Sequence, residues 1–260
     1  MVKPQQVVVS ADGAMVLLTN GEWREVKTMA VGEFGPKWDA KSKKMISKTE
    51  NISYFSRLEN ADKFSRSALY EGQRRGVEQA EKVVAVNDGA FWIQTFLDYL
   101  CPQAIRVIDF AHAQSYLATI GKAVHSEQTA QFQQWYAHMS HQLAHKPPQR
   151  TLSDLELLQS QHANHPLSET IEQSIAYLQR RRSMIDYAHF TKAHLPIGSG
   201  MVESGQKVVI QRRFKQAGMR WAESSLNPML ALSSRLQQNL GYQLAGYCGL
   251  SSSIQTTSTS

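Results

Sequence analysis

Two short runs, Val83-Val-Ala-Val86 and Ile105-Arg-Val-Ile108, constrain the fold of this chain more than any other feature. Runs of this length that lack polar alternation fit strands buried on both faces. Between them Phe91, Trp92, Phe96, Leu97 and Leu100 recur at helical spacing. A strand, a helix and a second strand in that succession make a parallel pair joined by a crossover. Each run also ends on an acid, Asn87-Asp88-Gly89 after the first and Asp109 after the second. Ligands of open α/β sheets collect at the carboxyl ends of parallel strands, so Asp88 stands where chemistry is expected.

Upstream, Val7, Val9 and Ala11 alternate with Val8, Ser10 and Asp12, and the pattern runs through Met15 to Leu18 before meeting Asn20-Gly21. Asn-Gly after an alternating run is a strong hairpin signal. The return strand is expected from Trp23 to Glu33. The lysine-rich stretch Lys37 to Lys48, preceded by Pro36, reads as a loop, with a third strand at Ile52 to Leu58. Phe64, Ala68 and Leu69 then place a helix over Ala61 to Arg75. The expected order is βββαβαβ, an α/β fold with a mixed five-stranded sheet. A meander followed by helix-linked parallel strands is the connectivity of a ribonuclease H-like core.

Residues 1–110 would form the first part of that core. From Ala111 to His194 the chain is helical in character, over Gln128 to Lys146, Ser153 to His162 and Ser168 to His189, with prolines between, so 111–195 reads as a helical insertion. Helices near Val202 to Ala217 and Ser224 to Asn239 would complete the core within 196–240. Residues 241–260 are expected to be a disordered tail, since from Ser251 the sequence is almost entirely Ser and Thr.

No apolar run approaches the roughly 18 residues of a membrane span, and the N-terminus lacks the layout of a signal peptide. A cytoplasmic location is therefore expected. Cys101 and Cys248 are the two cysteines, without Cys-x-x-Cys spacing, and read as buried, inert thiols. The net charge of +6 is unevenly spread. Between Ile175 and Trp221 nine basic residues face two acids, a net of +7, while the remainder is close to neutral. The positive field therefore has a location where a polyanion could be held.

Asp12 falls on the strand face opposite Val7, Val9 and Ala11. If that strand neighbours the one ending at Asp88, the two carboxylates can converge. Glu203, within Ile197-Gly-Ser-Gly-Met-Val-Glu-Ser-Gly205, would join them from the first turn of a late helix. Three carboxylates so placed repel one another and suit hard divalent ions, Mg²⁺ or Mn²⁺. Two such ions, ~3.5 to 4 Å apart, support phosphoryl transfer at a phosphodiester. Each acid also has a structural explanation: Asp-Gly shapes turns, Asp88 could cap the next helix, and a helix dipole favours Glu203 in a first turn.

Asp109-Phe-Ala-His112 forms a second group at a strand end, able to orient a phosphate or to serve as a helix cap beside an ordinary histidine. His138, His141 and His145 share a helical face but lack acid or thiol companions, and read as solvent-facing. After Glu203, the residues Lys207, Arg212, Arg213, Lys215 and Arg220 form a basic run that would contact a nucleic-acid backbone. Trp221 would stack on a base or pack in the core.

Val9-Ser-Ala-Asp-Gly-Ala14, Gly21-Glu-Trp-Arg-Glu-Val-Lys-Thr28, Val86-Asn-Asp-Gly-Ala90, Trp92-Ile93, Asp109-Phe-Ala-His112, Ile197-Gly-Ser-Gly-Met-Val-Glu-Ser204 and Gly218-Met-Arg-Trp221 occur in this order. Together they resemble the catalytic domain of ISKra-type insertion-sequence transposases, relatives of the Mutator-like DDE group. The resemblance implies a ribonuclease H-like core that binds two Mg²⁺ ions and cuts and rejoins DNA at transposon ends. Asp12, Asp88 and Glu203 match its three metal-binding acids, and Asp109 and His112 its Cys/Asp-x-x-His motif. It also implies a homo-oligomer assembled on DNA. Because such transposases carry a large region ahead of the first acid, a truncated or divided protein is expected. A DNA-binding protein without turnover and a nuclease or resolvase on the same fold are the competing readings.

Overall fold

The computed structural model of the chain describes residues 5–250 other than 42, 126 and 128. Its centre is a five-stranded mixed sheet in the order β3-β2-β1-β4-β5. The strands are β1 (Gln6–Leu17), β2 (Trp23–Asp39), β3 (Lys44–Arg57), β4 (Lys82–Asn87) and β5 (Ile105–Ile108). β1 to β3 form an antiparallel meander, while β4 and β5 run parallel to β1. The turn between β1 and β2 is built as its sequence demands: Gly21 takes φ 87° and the Asn20 side chain accepts the Glu22 N–H at 3.0 Å.

The helices are α1 (Ala61–Arg74), α2 (Phe91–Leu100), α3 (Phe110–His125), α4 (Ala130–His145), α5 (Pro148–Gln161), α6 (Ser168–Arg180), α7 (Tyr187–Lys192), α8 (Gly200–Gly205), α9 (Arg212–Phe214) and α10 (Glu223–Leu250). Asn60 caps α1 by accepting the Lys63 N–H at 2.9 Å, and Thr129 caps α4 through Phe132 N–H at 3.1 Å. Among the described residues no helix is long and apolar enough to cross a membrane.

The period-2 pattern of β1 divides the interior into layers. Val7, Val9 and Ala11 join Met29, Val31 and Ala85 on one face, where Phe64 and Ala68 of α1 and Phe96 and Leu97 of α2 cover them. Val8 joins Val84, Val86 and Ile108 on the other, beneath α3 to α7 and the start of α8. Further along that face, Val16 and Val26 meet Val209, Ile210, Phe214, Leu226 and Leu230 in a third cluster. Each large aliphatic or aromatic side chain so buried contributes about 1.5–3 kcal/mol relative to exposure. The last helix is pinned to the meander where Asn227 accepts the Leu58 N–H at 2.8 Å.

The structure corrects the expected loop at Lys37 to Lys48. β2 continues to Asp39 and β3 begins at Lys44, pairing Phe34 with Thr49 through to Asp39 with Lys44. Pro36 is tolerated because β1 stops pairing at Val7 with Glu33, which leaves this part of β2 with one neighbour only. The lysines simply face solvent on a two-stranded ribbon. The expected helix from Val202 to Ala217 is also divided, for a π-helical segment, Gln206–Gln211, lies between α8 and α9. The final helix runs on to Leu250 instead of ending near Asn239, and the Ser/Thr tail from Ser251 lies outside the described residues, as do residues 1–4.

Candidate functional site

The sheet order decides which acids meet. β1 lies beside β4, with Val9 opposite Ala85, so Asp12 stands three residues further on, near the point where β4 ends at Asn87. Asp88 follows at once. α8 crosses the same end of the sheet and presents Glu203 from its first turn. Its close approach to the meander requires Gly205, where a Cβ would stand 2.6 Å from the Tyr54 ring. Asp12, Asp88, Asp109, His112, Ser199 and Glu203 thereby line one open cavity of about 370 Å³.

Asp12 is half-buried, and its Oδ1 accepts the Gly13 N–H at 2.7 Å. Burial pushes its pKa up. The Gly13 N–H opposes that shift, and the charge of Asp88, with a smaller push from Glu203, adds to it. The acids are thus close enough to feel one another. The Gln206 side chain, only 5% exposed, lies near enough to Asp12 to pull its pKa down by hydrogen bonding, although its amide completes no hydrogen bond of good geometry among the described residues. It stands at the first position of the π-helical segment, a distortion that recurs at functional sites.

Asp88 Oδ1 accepts the Ala90 N–H at 2.9 Å, and the buried Asn87 side chain accepts the Gly89 N–H at 3.0 Å. Glu203 Oε1 accepts the Ser199 hydroxyl at 3.1 Å. All three proposed metal ligands therefore offer oxygen, the donor that hard divalent ions prefer. Among the described residues no group of three or more His, Cys, Asp and Glu side chains is drawn together as a ready-made metal cluster. The three acids share a cavity wall without converging on one point.

Asp109 is 6% exposed and both of its oxygens are engaged. Oδ1 accepts the His112 N–H at 2.8 Å, which caps α3, and Oδ2 accepts the Ser199 N–H at 2.6 Å. The Phe110 N–H donates to the Ile197 carbonyl at 3.0 Å alongside. Asp109 thus ties the start of α3 to the segment that carries Glu203. His112 projects into the cavity and meets Tyr116 and Tyr177 edge-on, at 5.3 and 5.8 Å between ring centroids.

Spacing alone did not point to Tyr177 and Arg181. Tyr177, on α6, stacks on Tyr116 at 4.0 Å and donates its hydroxyl to the Asp88 carbonyl. Arg181 lies 3.8 Å over the Tyr177 ring and donates to the Gly89 carbonyl at 2.9 Å. Together they clamp the turn that holds Asp88. Gly89 takes φ 75°, and a Cβ there would stand 2.7 Å from the Tyr177 hydroxyl and 2.8 Å from Arg181 Nε, so no other residue suits the position. Arg181 was visible in the sequence only as one of three successive arginines; nothing in the spacing relates it to Asp88, 93 positions earlier.

Lys207, Arg212, Arg213, Lys215 and Arg220 are exposed, and among the described residues none of them forms an ion pair. Trp221 anchors the end of this run. Its backbone bridges to Leu18 just past β1, and its ring packs 4.8 Å from Phe214. Core packing, the default expectation for this residue, is the role its partly buried ring displays. His138, His141 and His145 are exposed on α4. Cys101 is a free, buried thiol, and burial pushes it up to about 12. The Cys248 side chain lies outside the described residues.

Neither a protein-family model nor a curated protein matches this chain.

Proposed function

We propose that this chain is the catalytic domain of a DNA transposase of the ISKra-type, Mutator-like group, which cuts and rejoins DNA strands at the ends of an insertion sequence. The observation that carries this reading is the meeting of Asp12, Asp88 and Glu203, from three separate parts of the chain, on one cavity. A meander followed by two parallel strands supports a ribonuclease H-like core, with α3 to α7 as a helical insertion between the second and third acids. The protein acts in the cytoplasm on nucleoid DNA and assembles as a homo-oligomer there.

Asp12, Asp88 and Glu203 would hold two Mg²⁺ or Mn²⁺ ions. When bound, such ions activate the attacking oxygen and stabilise the leaving oxygen of a phosphodiester. The protein's own contribution is placement and charge. Asp109 fixes Glu203 relative to α3, while Tyr177 and Arg181 fix the Asp88 turn. His112, in the same cavity, is within the site to orient a phosphate or pass a proton. Lys207, Arg212, Arg213, Lys215 and Arg220 would neutralise backbone phosphates beyond the cavity.

The test is a nicking and strand-transfer assay with purified protein, Mg²⁺ or Mn²⁺, and duplex DNA bearing the ends of the element. Metal-dependent nicks at those ends should disappear in Asp88→Asn. Cleavage that ignores the ends would select a nuclease or resolvase. Salt-dependent binding that needs Arg212 and Arg213, without cleavage under any metal, would select a DNA-binding protein without turnover.

A further inference from the structure

The ribbon formed by Phe34–Asp39 of β2 and Lys44–Thr49 of β3 overhangs the sheet, since β1 pairs with β2 only as far as Glu33. Trp38 lies opposite Met45 near its tip, and the two side chains are 60% and 45% exposed. Lys37 and Lys48 are both held by Glu50, at 2.8 and 3.1 Å. Lys41, Lys43 and Lys44 form no ion pair among the described residues. A solvent-facing tryptophan among uncompensated lysines has no structural explanation in the core, from which it projects.

The ribbon also forms one wall of a groove of about 670 Å³. Lys44, Met45 and Thr49 stand on the ribbon side, and Pro196, Gly198 and Met201 on the other. That second wall is the segment leading to Glu203. The groove therefore runs from Lys44, near the ribbon tip, to the back of the proposed catalytic segment over a mostly apolar floor, and Trp38, opposite Met45 on the ribbon, stands with Lys41 and Lys43 beside its tip end, outside the lining.

We infer that this groove holds a nucleic-acid strand with unpaired bases, the bases on the apolar floor with Trp38 as a stacking platform and the phosphates on Lys41, Lys43 and Lys44. Apolar or aromatic surface for bases, flanked by cations for phosphates, is the physical requirement for single-strand binding. A duplex presents its phosphates outward and cannot seat its bases in such a groove. The inference deepens the proposed function by naming a strand site apart from the metal-ligating acids, and it rests on nucleic acid being the substrate.

The experiment titrates the full chain, without divalent metal, against a single-stranded oligonucleotide and a duplex of the same sequence across a range of salt concentrations. Trp38→Ala should weaken single-strand binding roughly ten-fold. Trp38→Phe should retain most of the affinity while losing part of the tryptophan quenching that accompanies binding. Replacing Lys41, Lys43 and Lys44 by alanine should lower the salt slope by about 0.7 per lysine removed. Unchanged single-strand affinity, quenching and slope in all three variants would overturn the inference, as would equal losses for the duplex. Because these side chains are exposed, an unchanged Tm will accompany each variant. The metal-dependent nicking assay reads the catalytic proposal separately: nicking that survives beside unaltered strand binding removes only the groove assignment, and single-strand effects without nicking remove only the transposase.

Discussion

Asp109 Oδ2 lies 2.6 Å from the backbone nitrogen of Ser199, joining the end of β5 to the segment that carries Glu203 across 90 positions of sequence. A buried carboxylate that accepts from two backbone N–H groups holds its elements firmly, and its removal leaves both donors without a partner. Asp109→Ala should therefore lower stability by roughly 2 to 4 kcal/mol. Asp109→Asn, which retains one acceptor oxygen, should cost less. Thermal unfolding of both variants measures the difference, and equal Tm values for the wild type and Asp109→Ala would refute the tie.

The Asp88 turn is held from α6. Arg181→Ala removes the donor to the Gly89 carbonyl and the cation over Tyr177, and should slow metal-dependent nicking by roughly ten- to hundred-fold through misplacement of Asp88. Tyr177→Phe loses one hydrogen bond, to the Asp88 carbonyl, and should cost about 1 kcal/mol in stability. If Arg181 serves only stability, Arg181→Ala will lower Tm and leave kcat unchanged in the folded fraction. Kinetics at a temperature where every variant is folded separate these outcomes.

Asp12 supplies a pH signature. Burial, then the neighbouring Asp88 charge, raise its pKa in the folded protein above that of the unfolded chain. The folded state consequently binds the proton more tightly, and this contribution to stability is present in acid and lost as pH rises through the raised value. Asp12→Asn should raise Tm at neutral pH, with the advantage fading below about pH 4, where the unfolded aspartate is protonated too. Mn²⁺ should reverse the ranking by stabilising the wild type more than the variant. Calorimetry between pH 4 and 8, with and without Mn²⁺, tests both statements.

The basic run after Glu203 should act on phosphates without regard to sequence. Arg212→Ala and Arg213→Ala should each reduce the salt slope of duplex binding by about 0.9. Their effects should be similar for any duplex, whereas a residue that reads bases would weaken binding selectively.

Cys101 should be inert while the protein is folded. With its thiol pushed up to about 12 by burial, almost none is ionised near pH 8. Iodoacetamide should label it only on unfolding, as mass spectrometry of its peptide can show.

Local chemistry was enough for several parts of this protein. The alternation Val7 to Ala11 assigned one face of β1 to the α1 and α2 layer and left Asp12 on the other, because side chains alternate strictly along a strand. The two apolar runs announced β4 and β5, and Asn20-Gly21 announced the turn before β2. The lysine-rich stretch misled, since its polarity and Pro36 describe a loop equally well as a solvated ribbon with a free edge. The meeting of the acids was a different matter. Asp12, Asp88 and Glu203 were visible as residues and through a family resemblance, but their sharing of one cavity depends on β1 lying beside β4 and on α8 crossing the same end of the sheet. The Asp109 tie to Ser199 and the Arg181 hold on Gly89 had no sequence signature at all. Such contacts span about 90 residues and depend on how layers pack, a property that no local pattern of propensity or charge contains.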